Sequence, residues 1–331
     1  MQRILVTGGA GYVGSACCAQ LLRHGYAVEV VDDLTTGHAE SVPAGVKLHQ
    51  MDIGNREALD GLLAAAKFDA AFHFAAKALV PESVVNPGIF FDANVASSIA
   101  MLEVLREHGV SKFVFSSSAA VYGSPVTIPI PEGHSKEPVN AYGESKLILE
   151  RILEWYARSY GWSVVAFRYF NASGGSQDWG ERHNPETHVI PLLLQTASGR
   201  RECFEIYGND YPTADGTCER DYVHVRDIAE AHILALQTMD RPGFEAYNIG
   251  TGKSHSVREV WQLAERITQR RITIRHGRRR LGDPAVLCAS PAKLMHELGW
   301  KPAHSDLEQI IRGAWQWEQT VSRHALAVQA H

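Results

Sequence analysis

The chain has 331 residues, of which 45% are apolar and 21% are charged. This composition is typical of a globular protein and excludes a disordered, collagen-like or coiled-coil chain. Lys and Arg number 32 against 37 Asp and Glu, so the net charge is −5. A mildly acidic chain of this kind has no general affinity for nucleic acid or for anionic membranes.

The cysteines, the histidines and the N-terminus argue against several further classes of protein. Five cysteines without a Cys-x-x-Cys pair argue against a disulfide framework and a structural zinc site. The 16 histidines are scattered and form no HExxH motif, so we predict no metal site. The N-terminus does not resemble a signal peptide, and we find no apolar run of about 18 residues that would span a membrane. We therefore expect a cytoplasmic protein with no nucleic-acid or membrane partner.

Short β-branched runs alternate with amphipathic stretches through the first half of the chain. In order, the predicted elements are strand Arg3–Thr7, helix Tyr12–His24, strand Ala27–Val31, strand Val46–Met51, helix Glu57–Ala66, strand Asp69–Phe74, helix Phe90–His108, strand Lys112–Ser117, helix Glu144–Ser159 and strand Ser163–Phe167. This alternation predicts a parallel sheet with helices on both faces. Right-handed crossovers make it a doubly wound α/β fold of the Rossmann type.

The pattern becomes richer in loops after Asn171. The predicted elements there are helix Asp227–Met239, strand Tyr247–Ile249, helix Ser256–Thr268 and helix Ser305–Thr320. We predict a Rossmann domain over residues 1–170, to which residues 225–250 return. Residues 171–224 and 251–331 are predicted to form a smaller C-terminal α/β substrate domain.

Three glycines, Gly8, Gly11 and Gly14, lie between the first strand and the first helix. Such a turn brings backbone N–H groups and a helix N-terminus close to a pyrophosphate. Asp32 and Asp33 end the second strand, where an acid accepts hydrogen bonds from an adenosine ribose and repels a 2′-phosphate. The arrangement favours NAD over NADP, although a tight turn with a capping aspartate has the same pattern.

A serine, a tyrosine and a lysine follow in the order expected of a dehydrogenase-type site. Tyr142 and Lys146 are four residues apart in a predicted helix and therefore share one face. An ammonium near a phenol favours the phenolate, which makes tyrosine a usable base. Ser118 follows the fifth strand, at the edge where open α/β sheets bind ligands. We predict these three residues to be catalytic.

With these motifs in place, the chain resembles the UDP-glucose (UDP-galactose) 4-epimerase family of the extended short-chain dehydrogenase/reductase superfamily. The matching segments run nearly end to end and include TGGAGYVGS, HFAAKALVPESV, SSSAAVYG, AYGESK, RYFNASG and FEIYGNDYPTADGTCERDYVHVRDIAEAH. The resemblance implies bound, recycled NAD and inversion at carbon 4 of a UDP-sugar through a 4-keto intermediate. Tyr142 would take the proton of the 4-hydroxyl, assisted by Ser118.

The resemblance also implies further binding positions. Besides the glycines, Tyr142 and Lys146, the implied cofactor contacts are Tyr12, Val13, Asp32, Asp33, Asp52, Ile53, Phe74, Ala75, Ala76, Asn94, Ser116 and Tyr169. The implied nucleotide-sugar contacts are Ser118, Asn171, His188, Val189, Tyr207, Arg220, Arg280, Asp283 and Leu287. Arg220 and Arg280 carry planar donor forks that suit a diphosphate. From the residues alone, Asp52 is equally consistent with capping the turn that follows the third strand.

Some features leave the substrate and the assembly open. Lys77 stands one position before the lysine of many relatives, where this chain has Ala78. Leu287 stands where many relatives have tyrosine or cysteine near the sugar's 2-substituent, so hexose, N-acetylhexosamine and pentose all remain possible. Ala119 and Ala120 replace the acid–base pair that a sugar dehydratase needs. A non-catalytic NAD-binding regulatory protein is the other alternative.

Relatives pair through helices corresponding to Phe90–His108 and Glu144–Ser159, so we expect a homodimer.

Overall fold

The computed structural model describes residues 1–280 and 283–329. Residues 281, 282, 330 and 331, which fall within the predicted substrate region 251–331, lie outside the described residues.

Fourteen strands and eleven helices make up this part of the chain. The strands are β1 Arg3–Thr7, β2 Ala27–Asp32, β3 Lys47–Gln50, β4 Ala70–His73, β5 Lys112–Ser118, β6 Ser163–Tyr169, β7 Asn171–Ser173, β8 Phe204–Tyr207, β9 Glu219–Arg220, β10 Tyr222–His224, β11 Gly243–Ile249, β12 His255–Ser256, β13 Ile274–Gly277 and β14 Val286–Leu287. The helices are α1 Tyr12–Arg23, α2 Arg56–Ala65, α3 Val80–Val85, α4 Pro87–Phe91, α5 Ser97–Glu107, α6 Ala141–Tyr160, α7 Val189–Ser198, α8 Val225–Thr238, α9 Val257–Thr268, α10 Ala292–Leu298 and α11 Leu307–Gln329.

A seven-stranded parallel sheet organises the molecule, in the order β11-β6-β5-β4-β1-β2-β3. Strands β2 and β3 lie in that order on one side of β1, and strands β4, β5, β6 and β11 lie in that order on its other side. The loops after β1 and β4 therefore diverge, which opens a crevice at the carboxyl ends of these two strands. The doubly wound Rossmann fold predicted from the sequence is confirmed.

Each face of the sheet has its own apolar core. Alternate residues of β1 point to opposite faces, so Ile4 and Val6 lie in one core and Leu5 in the other. The first core is completed by residues of α1, α8 and α10, including Leu21, Ile228 and Leu294. The second is completed by residues of α2, α5 and α6, including Leu59, Leu102 and Leu153.

A third core lies outside the main sheet and is formed by α7, α9 and α11 with β8. Leu193, Val260 and Ile310 are fully buried there. By contrast, α8 and β11 lie with the main sheet although they follow β7 in the chain. The domain boundaries themselves remain a prediction.

The predicted elements of the first half agree with the structure to within a few residues, with two informative differences. Helix α6 begins at Ala141 because the Asn140 side chain accepts a hydrogen bond from the Gly143 N–H at 2.9 Å. The helix predicted over Phe90–His108 is interrupted by a π turn, Asp92–Ala96, between α4 and α5. The sequence pattern did not predict helices α3, α7 and α10 or any of the short strands β7, β8, β9, β10, β12, β13 and β14.

The helical run 87–107 is long and apolar enough to cross a membrane when judged by length and composition alone. One such helix is weak evidence for a span, because core helices pass the same test. Here Phe90, Met101 and Leu105 are fully buried. We therefore interpret this run as one of the helices that cover the main sheet.

A buried ion pair joins α6 to the centre of the sheet. The guanidinium of Arg168, on β6, donates to both carboxylate oxygens of Glu150, on α6, at 3.0 and 2.7 Å. Ser117, on β5, donates to the same carboxylate at 2.5 Å, and Arg168 also donates to the Tyr122 hydroxyl at 2.8 Å. The Arg168 and Glu150 side chains are 2% and 1% exposed, so each depends on the other for its charge balance.

We expect Arg168→Met to lower the free energy of unfolding by about 3–5 kcal/mol, because it leaves the Glu150 carboxylate buried without a cation. The matched control is Arg158→Met, since Arg158 is 68% exposed and lies 3.9 Å from Glu154. That change should cost less than about 1 kcal/mol. Urea unfolding of the two variants measures the difference in the free energy of unfolding. Equal decreases in the two variants would show that the buried ion pair stabilises the fold no more than the exposed one does.

Candidate active site

The glycine turn between β1 and α1 is packed too tightly to hold side chains. A Cβ at Gly14 would lie 2.2 Å from the carbonyl oxygen of Gly8, which is a backbone atom that cannot move aside. Helix α1 begins after Gly11, where no side chain caps it. Its first N–H groups therefore point out of the turn without helical partners, as an anion site requires. The turn fits the pyrophosphate of a dinucleotide.

The two aspartates at the end of β2 have different surroundings. Asp32 is buried, and its carboxylate accepts hydrogen bonds from the backbone N–H groups of Ala10 and Leu34, both at 2.9 Å. Burial raises the pKa of Asp32 against these hydrogen bonds. Asp33 is exposed and accepts from the backbone and hydroxyl of Thr35. Asp32 therefore ties the glycine turn to the loop after β2, and both acids disfavour a 2′-phosphate there.

Helix α6 brings Tyr142 and Lys146 to the carboxyl end of β5. Its first turn can approach closely because residue 143 is glycine: a Cβ there would lie 2.6 Å from the carbonyl oxygen of Ala120. Ser118 lies close enough to Tyr142 for its hydroxyl to lower the pKa of the phenol. The Lys146 ammonium donates to the Ser116 carbonyl at 2.7 Å and lies 5.9 Å from the centre of the Tyr142 ring. The three predicted catalytic residues are thus brought together.

The electrostatics of this group differ from the sequence expectation. Burial raises the pKa of Tyr142, and the Ser118 hydroxyl opposes that rise. In the chain alone the pKa of Tyr142 is therefore raised, whereas the sequence predicted that Lys146 would lower it. Burial also lowers the pKa of Lys146 to about 7, against the opposing effect of the Glu150 carboxylate. Any further cation beside the phenol would favour its ionised form.

Tyr169 lies beside this group at the end of β6. Its hydroxyl is 2.8 Å from Nε2 of His232, whose Nδ1 is 2.9 Å from the carbonyl of Ile228. Because a carbonyl only accepts, Nδ1 carries the proton and Nε2 accepts from Tyr169. Burial lowers the pKa of His232 to about 4, which keeps the ring neutral. Ser116 lies close enough to lower the pKa of Tyr169 against the larger effect of burial, so two predicted cofactor residues are neighbours.

Other predicted cofactor residues surround the crevice and hold the protein's own loops. Phe74, Ala75 and Ala76 follow β4, and the N–H groups of Phe74 and Ala75 both donate to the Thr7 carbonyl. Asn94, in the π turn, bonds both backbone groups of Lys77 and the Ser145 hydroxyl. Its amide is therefore used to join the loop after β4 to α6. A contact of Lys77 with NAD remains untested.

The residues after β3 favour the capping alternative. Asp52 is exposed, and its carboxylate accepts from the Gly54 N–H at 2.6 Å. Ile53 is buried in the second core. Their predicted contact with the adenine remains a prediction.

The predicted nucleotide-sugar residues form a second group on the C-terminal region. Arg220 forms an ion pair with Asp283 and donates to the Pro284 carbonyl at 3.0 Å. The exposed Arg280 guanidinium lies 4.0 Å from the centre of the Tyr207 ring. Leu287 packs against a buried cluster that includes Ala119 and Phe170, next to Ser118. Leu287 thus links this group to the catalytic edge of β5.

Three of the remaining predicted positions lie at the boundary of the two regions. Asn171 opens β7 and pairs with Tyr222. His188 precedes α7, and Val189 is its first residue. His188 is drawn into a cluster with Glu181, His183 and Glu186, a grouping that sequence reasoning missed because the spacing matches no familiar ligand motif. Tyr12, at the start of α1, donates to the Gly174 carbonyl at 2.7 Å, so the segment after β7 reaches the glycine turn.

Comparison with known proteins agrees with this geometry. Residues 4–250 match the NAD dependent epimerase/dehydratase family. The chain belongs to this family. It is 46% identical to the UDP-glucose 4-epimerase of Lacticaseibacillus casei over 319 residues, which cover 96% of each chain.

Two solved structures of the family are also close. The UDP-glucose 4-epimerase of Brucella ovis in complex with NAD is 43% identical with a TM-score of 0.92, covering 95% of this chain and 98% of that one. The UDP-glucose 4-epimerase of Stenotrophomonas maltophila, with bound NAD and formylated UDP-arabinopyranose, is 38% identical with a TM-score of 0.93. That match covers 98% of this chain and 100% of the other. The family is NAD-dependent, as the glycine turn and the acids after β2 predicted.

We expect Gly14→Ala to abolish retention of NAD, because the added methyl group forces the turn away from the pyrophosphate. The control is Gly61→Ala in α2, where the new methyl meets no atom within 4 Å. That variant should retain NAD and gain about 0.5–1 kcal/mol of stability. NAD released by denaturing each purified variant measures retention, and a normal NAD content in Gly14→Ala would contradict the assignment of the turn.

Proposed function

We propose that this enzyme interconverts UDP-galactose and UDP-glucose by inverting carbon 4 of the hexose, with NAD that is retained and recycled. The observation that carries the proposal is the convergence of Ser118, Tyr142 and Lys146 at the carboxyl end of β5, beside the glycine turn. The family membership and the similarity to UDP-glucose 4-epimerases along nearly the whole chain support it.

The chain's own residues supply the acid–base chemistry. Tyr142 takes the proton of the sugar 4-hydroxyl and later returns it to the 4-keto oxygen. The Ser118 hydroxyl favours the ionised phenol against the effect of burial. Lys146, held by the Ser116 carbonyl, lies 5.9 Å from the centre of the same ring. NAD, which the glycine turn and the acids after β2 would hold, would supply a reversible hydride acceptor for carbon 4.

The C-terminal region supplies the anchor about which the sugar turns. Arg220 is oriented by its ion pair with Asp283, and the exposed guanidinium of Arg280 is stacked on Tyr207. Both are suited to the diphosphate. Holding the diphosphate while the sugar is free to rotate allows both faces of carbon 4 to meet the same cofactor. A 4,6-dehydratase is disfavoured because Ala119 and Ala120, which follow Ser118, cannot move protons.

The deciding experiment is incubation of the purified enzyme with UDP-galactose without added NAD, followed by chromatography of the nucleotide sugars. We expect UDP-glucose to appear. Parallel incubations with UDP-N-acetylglucosamine and UDP-xylose distinguish a 4-epimerase of another UDP-sugar. If protein that contains NAD converts none of these, the epimerase proposal fails and a regulatory NAD-binding role takes its place.

We expect Tyr142→Phe to lower turnover by about 10²–10⁴-fold, the usual contribution of a positioned acid–base group. NAD should remain bound, because the hydroxyl acts in proton transfer. The control is Tyr160→Phe at the end of the same helix, where the side chain is 53% exposed; its turnover should equal that of the wild type. Initial rates and NAD content are measured for both, and joint loss of rate and NAD would assign Tyr142 to cofactor binding instead.

We also propose a homodimer formed through α4, α5 and α6, in the cytoplasm. Phe91, Ile99 and Trp155 on these helices are 36%, 38% and 64% exposed, and they are apolar side chains that a partner would cover.

In sedimentation velocity at micromolar concentration we expect a dimer, and a monomer for Ile99→Glu because the carboxylate cannot be buried in an apolar contact. The control is Val126→Glu, since Val126 lies in a loop outside these helices and is 88% exposed. A monomeric wild type, or an Ile99→Glu variant that remains dimeric, would overturn this assembly.

A further inference from the structure

Four potential metal ligands converge in the segment that leads into α7. One ligand atom from each of Glu181, His183, Glu186 and His188 lies within 4.8 Å of the other three. A single oxygen of Glu181 is 2.8 Å from Nδ1 of His183 and 2.5 Å from Nδ1 of His188. An oxygen of Glu186 is 3.0 Å from the same nitrogen of His188. Two carboxylates thus face one imidazole.

The two carboxylates are nearly removed from solvent. The side chains of Glu181 and Glu186 are 6% and 5% exposed. Two neighbouring anions at this depth need a compensating cation. The nearby arginines are used elsewhere, because Arg182 pairs with Glu40 at 2.7 Å and Arg200 with Glu318 at 2.9 Å. Glu186 also accepts hydrogen bonds from the backbone N–H groups of Thr187 and His188, at 2.7 and 2.8 Å. Besides these, the two imidazoles of the cluster are left to balance the charge of the carboxylates.

The donor set is that of a first-row divalent ion. Imidazole nitrogen with carboxylate oxygen suits Zn²⁺ and its neighbours, whereas Ca²⁺ and Mg²⁺ prefer oxygen alone. Tetrahedral ligands at about 2.0–2.2 Å from zinc are about 3.3–3.6 Å apart. When an ion binds, the three ligand pairs at 2.5, 2.8 and 3.0 Å would therefore move slightly apart. The ligand atoms that are farthest from each other, within 4.8 Å, would move closer together. Both movements are confined to one segment, residues 181–188, between β7 and α7.

We propose that Glu181, His183, Glu186 and His188 form a binding site for one divalent transition-metal ion, with Zn²⁺ the best match. A cavity of about 460 Å³ lies beside the cluster and is lined by Glu181, His183 and Glu186, among others. It provides the path by which an ion reaches the ligands. The proposal does not depend on the epimerase reaction.

The position of the cluster assigns the ion a structural role. The His183 ring packs edge-on against Tyr12, with ring centres 6.4 Å apart. Tyr12 donates to the Gly174 carbonyl, and His38 contacts the Arg182 carbonyl at 3.0 Å. An ion bound by this segment would hold the C-terminal region against the first turn of α1 and the loop after β2. Metal binding should therefore stabilise the junction over the glycine turn.

The test uses full-length enzyme with its bound cofactor, produced without a polyhistidine tag and dialysed against a chelator. Zn²⁺ is then titrated in competition with a chromophoric chelator, and Co²⁺ is used as a spectroscopic probe of coordination. We expect one Zn²⁺ per chain, a tetrahedral Co²⁺ spectrum and a higher unfolding temperature with metal. Substoichiometric Zn²⁺ uptake, or an octahedral Co²⁺ spectrum without stabilisation, would overturn the proposal.

Two variants and a control locate the site. Glu181→Gln and His183→Gln should each weaken Zn²⁺ binding at least about 10-fold, since even outer-shell partners of a metal contribute that much. His296→Gln removes an exposed histidine of α10, outside the cluster, and should bind Zn²⁺ as the wild type does. Unfolding temperatures of the metal-free proteins verify that the variants fold. Unchanged affinity in folded Glu181→Gln and His183→Gln would place the ion elsewhere and refute this site.

Discussion

The buried pair of Glu150 and Arg168 holds in place helix α6, which carries Tyr142 and Lys146. Tyr142, Lys146 and Glu150 follow one another at four-residue steps on one face of α6. Anchoring Glu150 to β6 through Arg168, and to β5 through Ser117, therefore fixes the rotation of the helix. Since the pair is inaccessible to water, breaking it leaves a buried charge. The Glu150 carboxylate, which fixes the helix, also raises the pKa of Lys146 against the lowering that burial causes.

A second theme is that predicted ligand-binding residues also hold the protein's own loops. Asp32 bonds the glycine turn and the loop after its strand, and Asn94 joins the loop after β4 to α6. Arg220 is paired with Asp283. These contacts limit the rotamers of the side chains before any ligand arrives. A site organised in this way loses less side-chain entropy on binding, which favours retention of a cofactor.

The boundary between the main sheet and the C-terminal region lies at the cofactor turn. The segment after β7 reaches Tyr12 through Gly174 and the loop after β2 through Arg182, by way of a hydrogen bond to His38 and an ion pair with Glu40. In the same stretch, the cluster from Glu181 to His188 gathers charge beside Tyr12, and burial together with Glu181 and Glu186 raises the pKa of that tyrosine. The C-terminal region is therefore joined to the glycine turn and the loop after β2 by polar contacts of one irregular segment.

The sequence by itself determined the sheet, the glycine turn and the Tyr142–Lys146 pair, because each depends on local periodicity or short spacing. The approach of Ser118 to that pair depends on the packing of Gly143 against Ala120. Residues four apart on a helix must share a face, and strands that alternate with helices must run parallel. The tertiary structure decided what depends on distant partners: the π turn at Asn94, the pairing of two-residue strands such as β9 with β14, and the raised pKa of Tyr142. It also decided the convergence of Glu181, His183, Glu186 and His188. These four are close in sequence, but they lie in a segment without helical or strand repeat, so no periodicity predicts where their side chains point. Only the packing of that segment against α1 and α7 brings them together.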